Sequence, residues 1–187
     1  ELARGQEQLA YIFTDIGKFS VNISHDLVVF DNENKKHYIS VKDYIAENKQ
    51  MKMKITAIDY DLIYSPTTAY YAGFDHIFGY LLCTSLQTRK YIAAGLIDSL
   101  PIEFIPSGIT LHVDSKLVSN TKELFQSMGY KVFLRFNANE TECDVNIIGN
   151  FSDIPVREKK EINFITNYDP YITFSIMLRD KGDYYGF

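Results

Sequence analysis

Asp59-Tyr60-Asp61 places two carboxylates two positions apart, and on a strand such positions share a face. The pair could ligate a hard cation or share a proton, and it could equally be a solvated strand end. No third ligand accompanies it, and His25, His37, His76 and His112 show no i, i+4 spacing of a metal site. His25-Asp26 and Asp75-His76 set an imidazole beside a carboxylate, but adjacent residues do not face each other on a helix or strand, so neither reads as a dyad. No His stands near an obvious Ser or Cys partner, which leaves nucleophilic catalysis unsupported. Ser115 and Lys116 lie in the loop between a strand and the helix that follows it, and near a helix start backbone N–H groups and the helix dipole favour anions. Together with Ser119 they could contact a phosphate or carboxylate, and Asn150 closes a second loop expected on the same rim. Caps and loops favour the same residue types.

Those residues need elements to hold them. Leu2, Leu9, Ile12 and Phe13 lie near one face of a short helix expected over residues 1–14, ended by Gly17. Phe19, Val21 and Ile23 alternate with polar residues as a half-buried strand does. Residues 27–41 read as a hairpin around the polar run 31–36, and 42–48 as one or two helical turns. Met51, Met53, Ile55 and Ala57 alternate with lysines, the pattern of a guarded edge strand. After Pro66, capped by Thr67 or Thr68, apolar residues recur at helical spacing from Tyr70 to Ile97. That stretch reads as two buried helices, broken near residues 84–88 or at Gly95, with Cys83 buried in it. The C-terminal half then gives a strand (109–113), a helix (119–128, N-capped by Ser119 and stopped by Gly129), and strands at 130–136, 144–148 and 162–166. Strand, helix and further strands form a unit of parallel-sheet type.

The fold class is therefore α/β or α+β: a β-rich N-terminal segment (1–66), then a helical plus α/β module (67–187) of central buried helices and a small, mostly parallel sheet with flanking helices, which can form one continuous domain. The 187 residues carry a formal charge of −5, are 46% hydrophobic and 23% charged. That composition excludes disordered and collagen-like chains, and the acidic balance argues against direct nucleic-acid contact from this segment. No apolar run is long enough to span a membrane. Cys83 and Cys143 are too few for a disulfide framework and fit a cytoplasmic setting, and acidic neighbours make Cys143 a poor nucleophile. The chain opens Glu1-Leu2-Ala3-Arg4, without an initiator Met or apolar leader, which points to a piece of a longer protein.

Residues 109–115 (a strand and its loop), Lys122-Glu123-Leu124-Phe125 (a helix) and the acidic-then-apolar segment 144–150 resemble the enzyme-IIB-like domain that closes Mga-type bacterial transcription regulators. The resemblance implies that the helices over 70–100 are the end of a helical phosphotransferase-regulation domain, in which His76, the one His of that stretch, would take the phosphoryl group. Transporter members carry a phosphorylated Cys after the first strand, whereas this loop reads Asp114-Ser115-Lys116. A regulatory copy without the cysteine is a sensing or interaction module, and residues 18–60 depart from the all-helical neighbour the family has. The expectation is thus a non-catalytic, effector-sensing or dimerising module that self-associates and holds a small anionic ligand. The alternatives are a metal-dependent α/β enzyme fragment using Asp59, Asp61 or Asp114, and an interaction protein of a phage or mobile element.

Overall fold

The computed structural model describes residues 3–186. In chain order the elements are β1 (Ala3–Thr14), β2 (Gly17–Asn22), β3 (Asp26–Phe30), β4 (Lys36–Ser40), α1 (Val41–Glu47), β5 (Met53–Lys54), α2 (Pro66–Phe74) and α3 (Leu86–Ser99). There follow β6 (Ile102–Ile105), β7 (Gly108–Asp114), α4 (Ser115–Ser127), β8 (Lys131–Phe136), β9 (Glu142–Ile148), β10 (Tyr171–Ile172) and β11 (Phe174–Gly186). The described residues form a mixed α+β fold whose four sheets are all antiparallel. They divide into two compact units, Glu1–Lys54 with Tyr171–Phe187, and Ile55–Pro170.

In the first unit, the helix expected at the N-terminus is a strand. Ala10 and Ile12 are both fully buried, a spacing of two that only a strand places on one face. Tyr11 and Phe13 take the other face, with the Lys18 ammonium over the Tyr11 ring at 3.4 Å. What sets the strand is β11, a segment the sequence pattern leaves unassigned, which pairs with β1 from Ala3↔Gly186 to Thr14↔Phe174. Leu2, part of the expected helix, lies outside the described residues. The hairpin at 27–41 is present as β3 and β4. Its loop is organised by Asp31, which accepts backbone N–H bonds from Glu33 and Lys35 and meets His37 Nε2 at 2.8 Å. The His37 contact first, then the Lys35 N–H, holds this carboxyl below the usual range. The helical turns at 42–48 are α1, capped by Ser40. Of the alternating run 51–57 only Met53 and Lys54 form strand β5, paired with β10. Leu27, Val29 and Val41 join Ala10 and Ile12 in this unit's core.

In the second unit, Ser65 caps α2, with Pro66 in the first turn where its missing N–H costs nothing. The expected helix pair is α2 and α3, but the break covers residues 75–85, and Gly95 lies inside α3. Its role is packing. A Cβ at Gly95 would lie 1.9 Å from the Tyr70 carbonyl oxygen, and one at Gly73 would lie 2.0 Å from that of Ile92. The two helices therefore cross backbone to backbone, flanked by the buried Ala69, Ala72, Ala93 and Ala94. Cys83, read as buried, falls in the break and is exposed.

The parallel sheet is overturned. The strands order as β6-β7-β9-β8, every pair antiparallel. β7 and β8 do run in the same direction, as a strand–helix–strand passage requires, but β9 turns back from β8 and inserts between them. Ile109, Leu111 and Val113 of β7, Cys143, Val145 and Ile147 of β9, and Val132 of β8 bury one face against Val118, Leu124 and Phe125 of α4. Helix α4 starts at Ser115, capped by Asp114, whose carboxylate accepts the Lys116 N–H at 2.9 Å; Ser119, the expected cap, is already inside it. Gly129, at φ +90, makes the left-handed turn after it. The strand expected at 162–166 is a 3₁₀ turn, Lys160–Phe164. It plugs the core with Ile162, and the Asn163 side chain donates to the carbonyls of Phe151 and Ile154.

One buried carboxylate ties this turn region to the helices. Asp98, near the end of α3 and 6% exposed, accepts the Tyr70 hydroxyl and the backbone N–H groups of Arg157, Glu158 and Lys159. The Lys159 ammonium answers it by donating to the Ile97 and Leu100 carbonyls at the helix C-terminus. Burial, then the Asp98 contact, pushes the Tyr70 phenol up to about 12.

Two outcomes follow. Gly95→Ala should lower stability by about 1–3 kcal/mol or more, because backbone atoms must move apart, whereas Gly17→Ala, with nothing within 4 Å of the added carbon, should be near neutral in the same urea titration. The Tyr70 phenol stays protonated in the fold above its ordinary value of about 10. Its stabilisation is therefore whole below that pH and lost as pH rises toward about 12. Tyr70→Phe should make alkaline unfolding shallower across that window.

Candidate functional site

The sequence-selected anion residues do not converge. Antiparallel pairing sets Asp114 opposite Glu142 at one end of the sheet and Gly108 opposite Ile148 at the other, roughly 20 Å away at ~3.4 Å per residue. Ser115 and Lys116 stand exposed at the first end. Asn150 stands at the second, its side chain accepting the Ser152 N–H and its carbonyl accepting the Tyr130 hydroxyl. Ser119 lies on the flank of α4, in a groove with Tyr60 and Lys122.

His76 sits in a left-handed turn after α2, at φ +62. Its Nε2 is 2.9 Å from the Ser99 Oγ, and that hydroxyl donates to the Leu96 carbonyl. The one proton of Ser99 is thus committed, so Nε2–H is the donor in the pair and the serine is not activated as a nucleophile. The 23-residue separation of these partners is why no sequence spacing reveals them. Asp59 is occupied as well: its carboxylate accepts the N–H groups of Leu86 and Tyr60, a second side-chain acceptor at the start of α3 beside the Ser85 cap. Asp61 is exposed and joins it in no ligand set. Among the described residues, no three His, Cys, Asp or Glu side chains gather as metal ligands. Burial first raises the Cys143 thiol pKa, with Asp144 adding to it.

The charged group that the tertiary structure does assemble lies across the open face of the four-stranded sheet. His112 of β7 pairs in register with Asp144 of β9, and Asp144 with Arg135 of β8. His112 Nδ1 is 2.8 Å from one Asp144 oxygen, and the Arg135 guanidinium donates to the other at 2.7 and 3.1 Å. Glu103 of β6 completes the row, 3.6 Å from His112 Nε2. Beside it Thr110 donates to the Asn146 side chain at 2.7 Å. The result is a cross-strand row of glutamate, imidazole, aspartate and guanidinium running through four strands. The Arg135 bonds first, then His112, hold the Asp144 carboxyl below the usual carboxylate range. No hydroxyl or thiol nucleophile is hydrogen-bonded to this imidazole among the described residues. What the row can do is recognise a surface of complementary charge. The alternation of polar Thr110, His112 and Asp114 with apolar Ile109, Leu111 and Val113 was the available signal for this face; the partners on β6, β8 and β9 were not in reach of it.

Arg135→Ala should return the Asp144 carboxyl toward its ordinary range, read by carboxyl NMR titration. Because the folded value is depressed, the stabilisation is present above the unfolded carboxylate value and lost as pH falls through the folded one. Arg135→Ala should therefore weaken the acid limb of stability, and Asp144→Asn should abolish that contribution.

Compared with protein-family models and with curated proteins, the chain matches none.

Proposed function

We propose that this chain is a non-catalytic regulatory module, of the sort that accompanies bacterial transcription regulators, working by self-association and by holding a small anionic effector. The parallel arrangement on which the likeness to enzyme-IIB domains drew is absent, so the reading rests on surfaces instead. The observation that carries it is the cross-strand row Glu103–His112–Asp144–Arg135. It spends its imidazole and carboxylates on one another and presents an ordered charge pattern rather than a reactive group.

Both edges of that sheet add to the case. Among the described residues, β8 pairs only with β9, and β6 only with β7. On β8, Phe136 is 47% exposed beside Arg135, and on β6, Phe104 is 56% exposed beside Glu103. Open edges carrying aromatic residues and opposite charges suit strand addition by a second copy of this chain. The net charge of −5 suits a partner other than a phosphate backbone. Among the described residues no helix is long and apolar enough to cross a membrane, and two free thiols fit the reducing cytoplasm.

Light scattering on the purified chain across a wide concentration range should give a dimer or larger species, and Phe136→Lys should shift it to monomer without loss of folded signal. A strict monomer at every concentration that no oxyanion stabilises against heat would overturn the reading.

A further inference from the structure

The cross-strand row leaves one feature of the second unit unused: a buried cation with an idle donor. Arg89 of α3 is fully buried. Its Nε donates to the Thr84 carbonyl at 3.0 Å and its Nη2 to that of Ile58, while Nη1 has no hydrogen-bond partner. Among the described residues no carboxylate stands within ion-pair distance of it. The nearby Asp59 spends its bonds on the Leu86 and Tyr60 N–H groups. A buried guanidinium satisfied only by neutral carbonyls, with one nitrogen unpaired, is a costly arrangement that an anion would relieve.

A groove adjoins it. The segments that bury Arg89, 58–60 and 82–84, supply Ile58, Tyr60 and Leu82 to one wall, and α4 supplies Ser119 and Lys122 to the other. The Tyr60 ring lies 5.4 Å from the guanidinium carbon and is 40% exposed. It sits on the coil between β5 and α2; Arg89 itself does not line the groove, so a ligand that meets Nη1 must displace the Tyr60 ring. Lys122 has no ion-pair partner among the described residues.

We propose that this groove binds a small organic carboxylate, held by Arg89 and Lys122. The proposal deepens the effector part of the reading above and rests on it. With Nε and one Nη2 hydrogen committed to carbonyls, Arg89 offers chiefly the NH2 of Nη1, so one carboxylate oxygen takes Nη1 and the second is left for Lys122 or the Ser119 hydroxyl. Ile58 and Leu82 suit a hydrocarbon body. Glu123 also lines the groove; its charge disfavours a dianion such as phosphate more than a monoanion.

Calorimetric titration of the whole chain with hexanoate and with inorganic phosphate, at fixed ionic strength, tests this. Saturable hexanoate binding is expected, weakened at least ~10-fold by Lys122→Gln and by Arg89→Met, and unchanged by Lys160→Gln, which alters an exposed lysine that does not line the groove. Lys122 is at the surface, so its variant keeps the test valid if Arg89→Met unfolds. No saturable binding, equal binding by Lys122→Gln, or phosphate binding as tight as hexanoate would overturn the assignment. A chain that binds hexanoate here yet stays monomeric at every concentration, with and without the ligand, keeps the site and loses the self-association on which the regulatory reading rests. A dimer that takes up no carboxylate does the reverse.

Discussion

The close crossing of α2 and α3 is the constraint on which the second unit depends. Two glycines let main chain meet main chain, with carbonyl oxygens about 2 Å from where a Cβ would stand. Side chains that would otherwise separate the helices are reduced to alanines, so dispersion contacts are dense and the axis separation is fixed by backbone rather than by adaptable rotamers. Such a contact has little tolerance, because no side chain can turn aside to absorb an added carbon.

From that crossing the other parts take their positions. Asp98 leaves α3 at the right height to gather three backbone N–H groups of residues 157–159 and the Tyr70 hydroxyl of α2. A carboxylate with that many donors is stable when buried, where an unpaired one would not be. Arg157 in turn lies over the Tyr70 ring, 3.7 Å from its centre. At its other end, α3 is capped by Ser85, with Asp59 of the coil bound to its first N–H. One helix thus organises the coil before α2, the break after it and the irregular stretch beyond β9. The sheet is held more simply, by alternating apolar residues under α4, which leaves its opposite face free to carry charge.

The candidate surfaces follow from this division. A row of charges across four strands and a buried guanidinium behind a groove are both products of chain segments brought together over 30 residues or more, Glu103 to Asp144 in one case and Ile58 to Arg89 in the other. Neither resembles a set of reacting groups converging on a point. In the reading proposed above, each would select a partner by charge, the first over a broad face and the second in a small groove.

Local pattern sufficed for much of the fold. The β3–β4 hairpin, the turns of α1, β7, β8, β9, and Gly129 as the end of α4 were all legible, because alternation, capping and turn chemistry act within a few residues. It misled where two periodicities fit the same residues: β1 carried enough apolar positions to pass for a helix until β11, some 165 residues away, supplied the pairing. It also misled at Gly95, where a residue that usually breaks helices serves a contact with another helix. The sheet's direction shows the limit most clearly. A strand, a helix and two more strands fit a parallel sheet and a split antiparallel one equally well, since β7 and β8 point the same way in both. Sequence alone determined that those strands exist and which face of each is apolar; only tertiary packing decided that β9 enters between them, and with it that Ser115 and Asn150 lie apart while His112, Asp144 and Arg135 meet, because the order of strands is set by long-range burial and not by the torsions of any one segment.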